Sequence, residues 1–214
     1  MHRLLDQGLE QLTTTVFRMG EEAEEALAIA LGGFIRGRDT VEEVRELSEI
    51  LVSMTVEVEE KAFELIAKYQ PVASDLRIIN SHIKIAYDFE RYGRYAWDIS
   101  YIRKRLGGLK DCEEWIRQFI EEMGEKVLRM VRLSINSLKT QDIELAKTIS
   151  KTENEVDEMY FQFLDRLVKE AHVTSRCTIS SVLAVRYLER IADHATYIAE
   201  AVVYIATGEK IVLR

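Results

Sequence analysis

Two pairs of acids are the residues best placed to do chemistry in this chain. Glu153 and Asp157 stand four apart, as do Glu189 and Asp193. On a helix that spacing puts each pair on one face. Two antiparallel helices packed about 8–10 Å apart then offer four carboxylates to a single patch. Carboxylates held that close repel, and a multivalent cation relieves the repulsion. Oxygen-rich sites suit magnesium, manganese or calcium, and bridging carboxylates also build iron clusters. The same spacing arises on ordinary solvated helix faces, because the 214 residues include 37 acids. Position favours the first reading, since both pairs fall in segments that repeat along the chain. His194, beside Asp193, is either a further ligand or a structural histidine. Arg91 and Arg190 each follow a glutamate directly. They are either surface ion-pair partners, worth little, or groups that orient a neighbouring carboxylate. The aromatic run from Tyr87 to Tyr101 reads as core packing or an interface.

Other chemistries lack their residues. There is no GxxxxGK[ST] phosphate loop, no GxGxxG turn and no HExxH. Nor is there any Glu-x-x-His, which the di-iron four-helix oxidases need on two helices. No nucleophile–base pair stands out, so the expectation is a protein that is not an enzyme. A net charge of −8 argues against nucleic-acid binding, which requires a basic surface. Cys112 and Cys177 form no ligand-spaced pair and, with no signal peptide, read as reduced cytoplasmic thiols. The longest uncharged run, Ala26–Ile35, is too short to span a bilayer. Any contact with a membrane is then indirect, through partners.

The elements that must position these residues are helices. One proline and ten glycines are too few turn residues for an all-β domain, and 47% hydrophobic residues supply a core. Leu5, Leu12, Val16, Met19, Ala23 and Ala26 trace the stripe of a first helix. After Gly37, Asp39-x-x-Glu42 reads as the capping box of a second, ending near Gln70 before Pro71. Pro71 suits the first turn of a third helix, which runs to about Arg105. Gly107–Gly108 is the linker. Asp111-x-x-Glu114 then caps a fourth helix, and a polar turn ending at Asp142 leads into a fifth, ending near His172. Thr174 or Ser175 caps a sixth that ends near Gly208.

The two halves match in letters as well as in pattern. Met19–Gly20–Glu21 corresponds to Met123–Gly124–Glu125, Val58–Glu59–Glu60 to Val156–Asp157–Glu158, and Glu90–Arg91 to Glu189–Arg190. The offset shifts only between helices, as loop insertions would make it. The expected architecture is all-α: two tandem three-helix antiparallel bundles, over residues 1–106 and 109–214.

Tyr69-Gln-Pro-Val-Ala-Ser-Asp-Leu-Arg77, followed by Ala86-Tyr-Asp-Phe-Glu-Arg-Tyr-Gly93, closely resembles the first signature of the PhoU family of phosphate-transport regulators. Tyr187-Leu-Glu-Arg-Ile-Ala-Asp-His-Ala-Thr196 resembles the second. The resemblance covers nearly the whole chain. It implies two three-helix bundles and metal clusters held by E/D-x-x-x-D motifs, one set per repeat, with iron, manganese, magnesium or zinc as the candidate ions. In the second repeat Glu153, Asp157, Glu189 and Asp193 match those motifs. The first repeat departs from them, reading Thr55-x-x-x-Glu59 and Glu90-x-x-x-Arg94. There Glu59 and Glu90 are weaker candidates, Arg94 is expected to neutralise Glu90, and Asp98 compensates in part. Similarity to the family further implies restraint of phosphate uptake through the ATPase subunit of a phosphate ABC transporter. It also implies contact with a sensor histidine kinase where one is present, and a homodimer. A carboxylate-bridged metalloenzyme and a purely structural helical module are the alternatives.

Overall fold

A computed structural model describes residues 4–170 and 175–213. Helices account for 89% of these residues, and no strand occurs among them. The order is α1 (Leu4–Arg36), α2 (Val41–Tyr69), α3 (Ala73–Leu106), α4 (Glu114–Thr140), α5 (Ile143–Lys169) and α6 (Ser175–Thr207). The stripe expected on α1 is the face that it buries, with Val16, Met19, Ala23 and Ala26 fully enclosed. Helix ends follow backbone chemistry. Gly107 closes α3 at φ 98°, a left-handed conformation open to glycine at no steric cost, and its N–H reaches the Arg103 carbonyl at 2.9 Å.

Three helix starts differ from the sequence reading. α2 has its N-cap at Thr40, one residue after the expected Asp39. The Thr40 side chain turns inward, 3.0 Å from the Ser100 hydroxyl, while the Asp39 carboxylate accepts the Val41 N–H at 3.2 Å. Pro71 lies outside α3, because Gln70 closes α2 in a left-handed conformation and Val72 is extended. Asp111 does not cap α4; Glu113 holds that position, and its carboxylate accepts the Trp115 indole N–H at 3.0 Å instead. At α5 the cap is Asp142, whose carboxylate accepts the Leu145 N–H at 2.9 Å. α5 ends at Lys169, and the end expected near His172 and the Thr174 cap lie outside the described residues.

α1, α2 and α3 pack on one another, as do α4, α5 and α6. The two triples join where α3 lies along α6 and α1 meets α4, and one continuous hydrophobic cluster runs through both. The matched glycines sit at this junction. A Cβ on Gly20 would stand 3.0 Å from the Phe89 ring and 3.1 Å from Ile135 of α4. A Cβ on Gly124 would meet only Leu31 of α1, at 3.4 Å. Ion pairs flank the same contact, Arg132 with Glu24 at 2.6 Å and Lys139 with Glu21 at 2.5 Å.

The cysteines overturn the sequence reading. Cys112 and Cys177 are joined in a disulfide, with their Cα atoms 5.4 Å apart and 65 positions between them. The bridge pins the inter-repeat connection to the first turn of α6. No short spacing motif signals such a pairing.

Two outcomes are expected on stability. Gly124→Ala gains helix propensity worth up to about 1 kcal/mol, whereas Gly20→Ala must push the Phe89 ring aside, at a cost of about 1–3 kcal/mol. Chemical denaturation should therefore rank Gly124→Ala above the parent and Gly20→Ala below it. Opening the disulfide frees a long loop in the unfolded chain, which costs about 3–5 kcal/mol. Cys112→Ser, Cys177→Ser and the double variant should lose similar amounts, as should the parent denatured in dithiothreitol.

Candidate metal centre

The second-repeat acids come from the packed pair α5 and α6. Glu153, Glu189 and Asp193 are buried, at 7%, 8% and 4% exposure, and Asp157 is exposed. Burial pushes the Glu189 carboxyl above its ordinary range, and the nearby Asp193 and Asp157 charges push it further. Arg186 and Arg190 oppose that push. Arg186 Nη1 lies 2.7 Å from Glu189 Oε2, and Arg190 Nη1 lies 2.6 Å from Asp193 Oδ2. The structure thus brings Asp157 and Asp193 within electrostatic reach of Glu189, with Glu153 one turn before Asp157.

As a donor set this is carboxylate oxygen only, the chemistry of a hard cation. As arranged, each buried α6 carboxylate is answered by a guanidinium on its own helix. Among the described residues no three His, Cys, Asp or Glu side chains gather where they could hold a metal ion. The residues suit a cation only if it displaces Arg186 and Arg190 from Glu189 and Asp193. Both arginines are partly exposed, which leaves them room to swing outward.

The first repeat is built differently. Thr55, in the place of an acid, is buried and donates its hydroxyl to the Leu51 carbonyl at 3.1 Å. Arg94 stacks over the Trp97 ring, 5.7 Å from its centroid. Its charge acts on Asp98. Burial raises the Asp98 carboxyl, and Arg94 and then Arg91 draw it down. Glu90 interacts electrostatically with Arg91. Glu59 is exposed and faces a cleft shared with Asp88 and Glu200.

Between the repeats lies a polar seam that sequence reasoning missed. His194 Nδ1 and Asp88 Oδ1 are 2.8 Å apart, both residues buried, and 106 positions separate them. His194 is therefore engaged as a structural partner of Asp88. Burial raises the Asp88 carboxyl, and the His194 hydrogen bond works against that shift. The rings of Tyr95 and Tyr197 flank the imidazole at 5.9 and 5.4 Å. Arg91 lies over the Tyr95 ring at 4.6 Å, and Arg190 interacts electrostatically with the same tyrosine. The two Glu–Arg pairs noticed in sequence thus converge on one aromatic side chain. Asp88 sits inside the first signature string and His194 inside the second, and those positions were the available signal.

Comparison with known proteins agrees with this architecture. The PhoU domain profile matches twice, over residues 16–102 and 120–202, one match in each helical triple. A phosphate-specific transport system accessory protein PhoU homologue of Clostridium acetobutylicum is 32% identical, over 98% of this chain and 97% of that protein. The homologue of Caulobacter vibrioides is 34% identical, over 95% of this chain and 90% of its own length. The crystal structure of PhoU from Pseudomonas aeruginosa superposes with a TM-score of 0.87 at 27% identity, covering 95% of this chain and 99% of the other. The phosphate transport system regulatory protein PhoU from Streptococcus pneumoniae shares the fold, also at 0.87, with 21% identity over 97% of this chain and 99% of the other. By the doubled domain, the full-length likeness and the shared fold, the chain belongs to the PhoU family.

Proposed function

We propose that this protein is a regulatory adaptor of phosphate-specific transport that acts by binding rather than catalysis. The observation that carries the reading is the doubled PhoU domain, aligned end to end with relatives described as accessory proteins of that transport system. On this reading it works in the cytoplasm and restrains uptake by docking on the ATPase subunit of the phosphate ABC transporter. It docks on a sensor histidine kinase in cells that have one, and pairs with a second copy of itself. No helix among the described residues is long and apolar enough to cross a membrane, which fits membrane contact through partners.

Within the same reading, the second-repeat acids take up a divalent or multinuclear cation in place of Arg186 and Arg190. Support comes from the mutual repulsion built into Asp157, Glu189 and Asp193. In the first repeat Thr55 and Arg94 remove two of the matching acids and leave Glu59, Glu90 and Asp98 as a poorer set.

Two experiments test these statements. Affinity capture on the tagged protein from phosphate-replete cells should recover an ABC-transporter ATPase; consistent failure to recover it would sink the adaptor reading. Elemental analysis after loading with manganese or iron should show most bound metal lost in Glu189→Ala/Asp193→Ala and little lost in Glu90→Ala. Arg190→Gln, which removes a competing charge, should raise affinity for the ion. Equal occupancy of both halves would overturn the asymmetry.

A further inference from the structure

A cleft of about 690 Å³ opens between α3, α6 and the segment that follows α6, with Glu59 of α2 on its rim. Its size is that of a small-molecule site. None of the four second-repeat acids lines it. Three tyrosines do, Tyr87, Tyr197 and Tyr204, together with three carboxyl groups, those of Glu59, Asp88 and Glu200. Asp88 and Glu200 are close enough for the charge of one to act on the other. Ser81 also lines the cleft, 1% exposed, and its hydroxyl oxygen is buried with no hydrogen-bond partner. A buried hydroxyl in that state is open to a hydrogen bond with a polar group or water that enters the cleft.

Two cations already stand against the Tyr204 ring, and one of them is the Arg77 guanidinium, 5.9 Å from its centroid. Lys210, on the segment after α6, brings its ammonium 5.7 Å from the centroid of the Tyr204 ring. That segment is tethered at two points. The Leu213 N–H donates to Glu200 Oε1 at 2.9 Å, and the Ser150 hydroxyl donates to the Leu213 carbonyl. With Lys210 withdrawn, Glu59 and Glu200 would face Lys84 on the wall and the Arg77 guanidinium beside Tyr204, while Asp88 stays paired with His194. An organic ammonium would meet ring faces that attract cations and carboxylates that accept its N–H groups.

We propose that this cleft binds a small aliphatic amine, with the Lys210 ammonium as its intramolecular competitor. The site stands apart from the phosphate-transport reading and survives if that reading fails. Amine entry displaces the ammonium of Lys210 from Tyr204 and thereby loosens the 209–213 segment from Glu200.

Calorimetric titration of the purified protein with cadaverine at physiological ionic strength tests the proposal, with 1,5-pentanediol as the uncharged match. Saturable binding of one cadaverine per chain is expected, and none of the diol. Lys210→Met should tighten binding and Glu200→Gln should weaken it, each by about tenfold, the scale of one desolvated cation–π or charge-assisted contact. Glu122→Gln, on exposed α4 surface outside the cleft, should change nothing. Circular dichroism and melting of each variant establish that it is folded. Absence of saturable binding, equal binding of the diol, or equal loss in Glu122→Gln and Glu200→Gln would overturn the proposal.

Discussion

The packing of α3 along α6 is the contact on which the rest of the molecule depends. Each helix is the last of its triple, and each is packed by the other two helices of its half or by the facing half. Within that seam the Asp88–His194 contact is the most demanding feature. Two ionisable groups lie buried, and each is paired with a residue of the other repeat. Stranding one such partner typically costs about 3–5 kcal/mol. Sliding α3 past α6 by one turn, about 5.4 Å, would separate them. The pair therefore selects which turn of α3 faces which turn of α6, while the surrounding apolar contacts supply most of the favourable burial.

Around that register the two repeats have diverged in charge and not in backbone plan. In the second, acids on neighbouring turns of α6 are each matched by an arginine three residues earlier. In the first, threonine and arginine stand at matching positions, and the arginines turn to aromatic faces, Arg91 to Tyr95 and Arg94 to Trp97. A stacked guanidinium keeps its charge while covering apolar surface. One ancestral pattern thus supports an electrostatically tense surface in one half and a quieter one in the other.

The helices were legible in the sequence because a buried face must repeat every 3.6 residues, and α1 from Leu5 to Ala30 does so without interruption. Helix starts were less legible. Asp39, Thr40 and Glu113 are all chemically able to cap, but other side chains engage them: Ser100, 60 positions away, takes Thr40, and Trp115, two positions on, takes Glu113. The acid spacing on α5 and α6 was readable, but its neutralisation by Arg186 and Arg190 depends on rotamers that spacing does not encode. Least legible were the long-range pairings. Neither Asp88 with His194 nor Cys112 with Cys177 carries a local pattern, and a single sequence holds no record of which distant residues meet.

The cysteine bridge has a consequence for how the chain is made. Cys112 is added to the chain before any residue of α4 or α5, and its partner follows only after both. At about 5–20 residues per second, their separation of 65 positions corresponds to several seconds during which the first thiol has no partner. Every helix of the first repeat is complete by then, and α4 and α5 emerge inside a ring that is not yet closed. Closure must wait for the opening turn of α6, so the covalent bond records the arrival of the last helix and cannot guide the placement of the earlier ones.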